Sequence, residues 1–205
     1  MDILTTQNLN KILVNGTLNS KAYAILYPDP PLPPIAANTV RVRTNDGNIP
    51  SNGYYESATL VTGTTDVYDV YSSYSFESLL YGANNVVEIL GANLGNQTNL
   101  TALFGNCTSL TTVALFDTSN VTDMSYMFSS CTSLTTIPLF NTSSVTNVRY
   151  MFTGCTNVET GALALYQQMS TQSRPPSSHS KTFFRCGSNT VTGAAELAQI
   201  PSDWK

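Results

Sequence analysis

Between positions 76 and 163 the apolar side chains return at a regular step of about 24 residues. Phe76, Leu100, Met124 and Val148 make one column. Leu79, Leu103, Met127 and Met151 make the next, beside Leu80, Phe104, Phe128 and Phe152. Ala83, Cys107, Cys131 and Cys155 follow, then Val86, Leu110, Leu134 and Val158. Ile89, Val113, Ile137 and Gly161, and finally Gly91, Leu115, Leu139 and Leu163, complete the set. Seven columns that stay apolar or small through four copies mark an internal repeat.

Each copy carries two rhythms. Met124, Met127, Phe128 and Cys131 stand at i, i+3, i+4 and i+7, the spacing that predicts a short amphipathic helix, with Thr122 or Asp123 placed to cap its start. Leu134, Ile137 and Leu139 then follow L-x-x-L-x-L, whose second half alternates as a strand does. The stretches FDTSNVT and FNTSSVT supply turn residues before the next copy. The expected fold class is an α/β solenoid of leucine-rich-repeat-like coils, each of about 24 residues, preceded by a small β-rich N-terminal region. One such coil has too few inward side chains to offset the entropy of ordering it, so each coil needs its neighbour.

Stacking places Cys107, Cys131 and Cys155 in one inward column. A buried free Cys behaves as a small hydrophobe, which makes these a structural core column. A disulfide is the competing reading, but three aligned cysteines pair poorly and parallel vectors suit disulfide geometry badly. A metal site is a third, without the C-x-x-C pairs it calls for. Cys186 in FFRCGSN echoes F-x-x-C, but the step from Cys155 would have put the next cysteine at position 179. The delay reads as a degenerate fifth coil after an insertion.

The wording of residues 115–158, LFDTSNVTDMSYMFSSCTSLTTIPLFNTSSVTNVRYMFTGCTNV, closely resembles the BspA-like leucine-rich repeats. Clear identity covers about 60 residues, more than two repeat lengths. Weaker agreement extends over about 72–165. The resemblance implies a surface-displayed, non-enzymatic recognition or adhesion module of the kind found on gut and oral bacteria, in mycoplasma lipoproteins and in phages of such hosts.

The remaining segments divide the chain further. Residues 1–35 read as an N-terminal arm and a Pro-rich linker, with five prolines within residues 28–34. Capping of the first coil is the alternative role for this arm. Residues 36–71 read as a small β-rich attachment domain, in which Val40 and Val42 face one way and Arg41 and Arg43 the other. Residues 72–165 are the repeat. Residues 166–205 read as the degenerate coil and a C-terminal cap, with helix-like spacing at Leu163, Tyr166 and Gln167, a closing helix from Ala194 to Ile200, and Trp204 as plug.

Composition narrows the partners. Charged residues are only 11% of the chain and the net charge is -4, so no basic patch invites nucleic acid. No run approaches the roughly 20 apolar residues of a membrane span, and membrane insertion is not expected. The start, MDILTTQNLNKILVNG, shows neither a signal peptide nor a lipobox cysteine. A virion protein released by lysis fits that pattern better than a lipoprotein. The one histidine, His179, sits in a Pro/Ser-rich loop and reads as a solvated loop residue, and neither a cofactor nor a metal is expected.

The candidate binding face consists of outward residues. Thr112 with Thr136 and Phe116 with Phe140 lie on the strand side, while Tyr126 and Tyr150 lie on the other. For the Phe pair, turning inward as core is the competing reading. The expected function is a phage virion component (head fibre, decoration or adhesin), assembled as a homo-oligomer with a trimer as the working guess. It would join other virion proteins through its N-terminal region and contact host or matrix protein or carbohydrate. The expected location is the virion surface, with a bacterial cell-surface adhesin as the alternative. A glycan-active enzyme and a threonine-array ice-binding face stand further back.

Overall fold

Along residues 124–131 and their equivalents in the other copies, backbone N–H groups alternate between bonding to the next copy and bonding within their own. In the computed structural model, which describes residues 13–14, 17–18 and 32–205, the N–H groups of Met127, Ser129 and Cys131 bond three residues back, to Met124, Tyr126 and Phe128. Those of Met124, Tyr126, Phe128 and Ser130 cross instead to the carbonyls of Asn147, Arg149, Met151 and Thr153, at 2.9, 2.9, 2.9 and 2.7 Å. The same alternation joins Ala102, Phe104 and Asn106 to Ser125, Met127 and Ser129, and Tyr150, Phe152 and Gly154 to Ser180, Thr182 and Phe184.

The helix expected at 124–131 therefore does not form. The segment is a run of tight turns. An α-helix would spend every interior N–H on its own i-4 carbonyl and leave none to join the copies. The turn run needs a left-handed residue every fourth position, and it has them: Tyr126 and Ser130 at φ 58 and 62, Tyr150 and Gly154 at 58 and 76, Ala102 and Asn106 at 53 and 59. Left-handed backbone costs an L-residue about 1–2 kcal/mol, and the two-way hydrogen bonding offsets it. Met124, Met127, Phe128 and Cys131 still face inward, all fully buried. A four-residue turn period and a 3.6-residue helix period place the same i, i+3, i+4, i+7 side chains on one side, which is why the pattern read as a helix.

The strand half of each copy is shorter than expected. β6 (Val86–Asn93) pairs in parallel with β7 (Thr112–Val113), Glu88 opposite Thr112 and Ile89 opposite Val113. Beyond β7 the ladder shrinks to single bridges such as Thr136 to Thr160. The alternation also breaks. Phe140 N–H bonds back to Pro138 O at 3.0 Å, a three-residue turn that reverses the phase of the side chains. Leu115 and Leu139, assigned to a core column, are 62% and 50% exposed, whereas Phe140 is fully buried.

Contacts divide the chain into two compact units, Met1–Pro33 and Pro34–Lys205. In the first, β1 (Leu13–Val14) pairs antiparallel with β2 (Thr17–Leu18). The rest of the expected arm and linker, up to residue 31, lies outside the described residues. In the second, β3 (Thr39–Thr44), β4 (Ser57–Leu60), β5 (Val67–Tyr71), β6 and β7 form one sheet in the order β4-β5-β3-β6-β7. β6 belongs to this sheet and to the first coil together. The sequence reading separated 36–71 from the repeat; in the structure one sheet and one core run through that boundary. Val40, Val42 and Val70 are fully buried. Arg41 points to the opposite face and grips its cross-strand partner Asp69 through two bonds of 2.6 and 2.7 Å.

The fifth coil is delayed because α1 (Ala162–Thr171) is inserted between it and the fourth. α1 buries Ala162, Leu165 and Met169, one step off the spacing read from Leu163 and Tyr166. Gly161 opens the insertion at φ 102, where a Cβ would lie 2.3 Å from Ile137 O. Lys181 and Arg185 then restore the left-handed positions. α2 (Val191–Gln199), capped by Thr190 Oγ1 accepting from Gly193 N–H, and a 3-10 turn (Ser202–Trp204) close the end. Phe183 donates its N–H to Trp204 O at 2.9 Å, the slot a sixth coil would occupy.

Aromatic rings run through this core. Phe128 stacks on Phe104 at 5.3 Å and 24°, on Phe152 at 5.3 Å and 5°, and on Phe140 at 5.8 Å. Phe128→Ala is expected to cost about 3–5 kcal/mol, read as a lowered urea midpoint. A change below about 1 kcal/mol would contradict this packing.

Candidate binding faces

The interior side of the turn run is chemically quiet. Cys107, Cys131, Cys155 and Cys186 are all free and buried. The thiols of the first three donate to the carbonyls of Leu80, Phe104 and Phe128 in the preceding coil, at 3.1, 3.1 and 3.0 Å. Burial pushes the Cys107 and Cys155 thiols up to about 12 and those of Cys131 and Cys186 well above the usual range. The reactive form of cysteine is the thiolate, so this column serves packing. Among the described residues no group of three or more His, Cys, Asp or Glu is placed to hold a metal ion.

The exterior side of the same run carries the tyrosine pair. Tyr126 is 43% exposed and Tyr150 half-buried, and their rings stack at 4.7 Å and 11°. Arg149 and Lys181 lie over the Tyr150 ring at 5.6 and 5.7 Å, and Lys181 reaches Phe184 at 5.7 Å. Next to this cluster a polar ladder of Asn99, Asp123, Asn147 and Ser178 joins consecutive coils through parallel bridges. Burial pushes the Asp123 carboxyl up. Hydrogen bonds from Ser125, Asn147 and Thr101 outweigh that effect and hold it below the ordinary carboxylate value. Ser125 Oγ and N–H reach it at 2.6 and 2.8 Å, and Asn147 Nδ2 at 2.8 Å.

The strand side differs from the expected face. Thr112 and Thr136 are both exposed, and a bridge aligns Thr136 with Thr160. Phe116 is half-buried against the core and its partner Phe140, 5.3 Å away, is fully buried, so Phe140 leaves the candidate face. The exposed apolar residues there are Leu115 and Leu139. Pro138 is the sequence signal that would have revealed the exchange, because it ends the alternation.

His179 is not a solvated loop residue. Its ring stacks on Trp204 at 4.2 Å and 10°, and its Nδ1 is buried with no hydrogen-bond partner among the described residues. Trp204 is 6% exposed, packed also against Phe183 and, edge-on, Tyr166.

Residues 74–173 match the family described as "Mycoplasma protein of unknown function, DUF285". The match spans the first four coils and α1. No curated protein and no solved structure matches the chain.

Two outcomes follow. A thiol reagent at pH 8 is expected to label none of the four buried cysteines in native protein and all of them in denaturant; fast labelling of the native chain would overturn the buried column. The Cys107 and Cys155 thiols are raised in the folded state, so their contribution is complete below the ordinary thiol value and is lost as pH rises toward about 12. Asp123 has the opposite sign. Its contribution is complete above the unfolded value of 3.8 and disappears as pH falls through the lower folded one. Asp123→Asn should cost about 1 kcal/mol at neutral pH and flatten the acid limb of the urea midpoint against pH. An unchanged acid limb would remove Asp123 from that role.

Proposed function

We propose that the chain is a non-enzymatic, surface-displayed recognition protein built on a leucine-rich-repeat-like solenoid of BspA type. Its setting on this reading is the surface of a phage virion, as head fibre, decoration or adhesin, with a bacterial cell surface as the alternative. The observation that carries the proposal is the division of the repeat between its two sides. Inward positions are predominantly apolar and their cysteines are inert, while outward positions expose Tyr126, Tyr150, Lys181, Leu115 and Leu139. A stack with a packed interior and a continuous exterior is suited to contact, and exposed aromatic side chains are the usual anchors. The family matched at 74–173 is associated with BspA-like surface repeat proteins, which supports the same reading.

The partners on this reading are host or matrix carbohydrate or protein through the repeat, and further virion proteins through the N-terminal region. The assembly is a homo-oligomer, with a trimer as the specific expectation. Two measurements test this. Immunogold labelling of producing cultures is expected on purified particles or on the cell envelope, and label confined to the cytosol would overturn display. Light scattering of the full chain is expected to give about three times the 22.1 kDa of one chain; a monomer would remove the fibre and leave the adhesin reading.

A further inference from the structure

The first coil has no coil before it, and a loop takes that place. Tyr54 N–H bonds to Leu79 O at 2.8 Å, the slot that Phe104 N–H fills on Met127 O two coils later. Asn52 Nδ2 bonds to Gly82 O at 3.2 Å. Asn85, 9% exposed, locks the loop from beneath: it accepts from Ser51 N–H at 2.8 Å and donates to Ile49 O at 2.9 Å. The loop is thus pinned to the coil rather than laid loosely over it.

This docking leaves two adjoining depressions, both open to solvent, that share Tyr54 and Tyr81. One, of about 530 Å³, also includes Glu77. The other, of about 460 Å³, also includes Asn52, Asn84 and Asn106. Tyr54 is 73% exposed and Tyr81 45%. Tyr81 has one ring face held down, because a Cβ at Gly105 would sit 2.8 Å from its Cδ2. The equivalent positions in the following coils are Ser129 and Thr153. Only in the second coil does a bare backbone let an aromatic ring lie flat. Gly82 lies between the Asn52 and Asn106 side chains, where a Cβ would be 3.8 Å from Asn52 Cβ and 3.9 Å from Asn106 Nδ2.

Accessible aromatic rings, amides that donate and accept, one carboxylate and, among the described lining residues, neither Lys nor Arg define a narrow class of ligand. A pyranose offers apolar C–H faces to stack on tyrosine and vicinal hydroxyls to pair with amides and a carboxylate. A phosphorylated or acidic ligand meets Glu77 and a net charge of -4 with no cation to receive it. We infer that the Tyr54–Tyr81 cleft is a binding site for a neutral oligosaccharide, with adjacent sugar rings on either side of the two tyrosines. The inference rests on the recognition function proposed above and names a site and ligand class for it.

The test is calorimetric titration of the full chain with a panel of neutral oligosaccharides (glucan, mannan, galactan and N-acetylglucosamine oligomers), repeated with Tyr54→Ala, Tyr81→Ala and, at the 89% exposed start of α2, Val191→Ala. Both cleft side chains are substantially exposed, so these variants are expected to unfold at the wild-type urea midpoint. The expected result is binding of at least one oligomer, weakened at least tenfold by Tyr54→Ala and by Tyr81→Ala and unchanged by Val191→Ala. Wild-type affinity in both cleft variants would overturn the site while leaving carbohydrate recognition by another face. Binding of none of the panel would overturn the inference, and retention of the same protein on intact cells would then show that recognition itself stands.

Discussion

The structure depends on how the backbone N–H groups of one short turn run are shared. Alternate residues bond within the run and across to the next coil. This solves an accounting problem. A buried backbone donor without a partner costs about 1–3 kcal/mol, and a coil buried on both sides has many donors. A helix would satisfy them locally and leave the coils joined only by side chains. The alternating run satisfies them all and makes each coil the template for the next. The left-handed residues recur every four positions because this geometry requires them.

The side chains follow from the same constraint. Coils held at hydrogen-bonding distance bring equivalent residues into contact, so Phe104, Phe128, Phe152 and Phe183 become one stacked series ending on Trp204. The cysteines fit there because a thiol is small, apolar and still able to donate to the carbonyl one coil back. The ends show what the stack requires. At one end Tyr54 N–H supplies the missing donor, and at the other Trp204 O supplies the missing acceptor. Closing the first end creates the Tyr54–Tyr81 cleft, so on this reading a binding site is a by-product of terminating the repeat. The outward positions remain free to vary, and with only 11% charged residues the surface they form is polar but weakly charged, which suits hydroxyl-rich or neutral partners.

Much of this was legible in the chain. The columns containing Met127, Phe128, Cys131 and Leu134 are core as their spacing implies, and Trp204 is buried at the end of the stack. The turn run was hidden because it shares its inward positions with a helix; the signal against a helix lay in Gly82, Asn106 and Gly154, residues suited to left-handed backbone, at one repeat position. The phase exchange between Leu139 and Phe140 was hidden because a three-residue turn at Pro138 breaks a pattern that looks continuous. Of the candidate face, the tyrosine pair stacks and is accessible while Phe140 is core. The Tyr54–Tyr81 cleft had no sequence signature, because its walls come from a loop and a coil brought together only by the cap. The boundary drawn at residue 71 falls within one continuous sheet, because β6 serves sheet and coil alike.

The most direct measurement is scalar coupling across hydrogen bonds in the NMR spectrum of the labelled chain, at the Phe128 amide. Alternating sharing predicts a correlation from Phe128 N–H to the Met151 carbonyl, together with one from Met127 N–H to Met124. A correlation from Phe128 N–H to the Met124 carbonyl, four residues back, would mean that an α-helix occupies the run and would contradict the coil-to-coil bonding on which the rest of the structure depends.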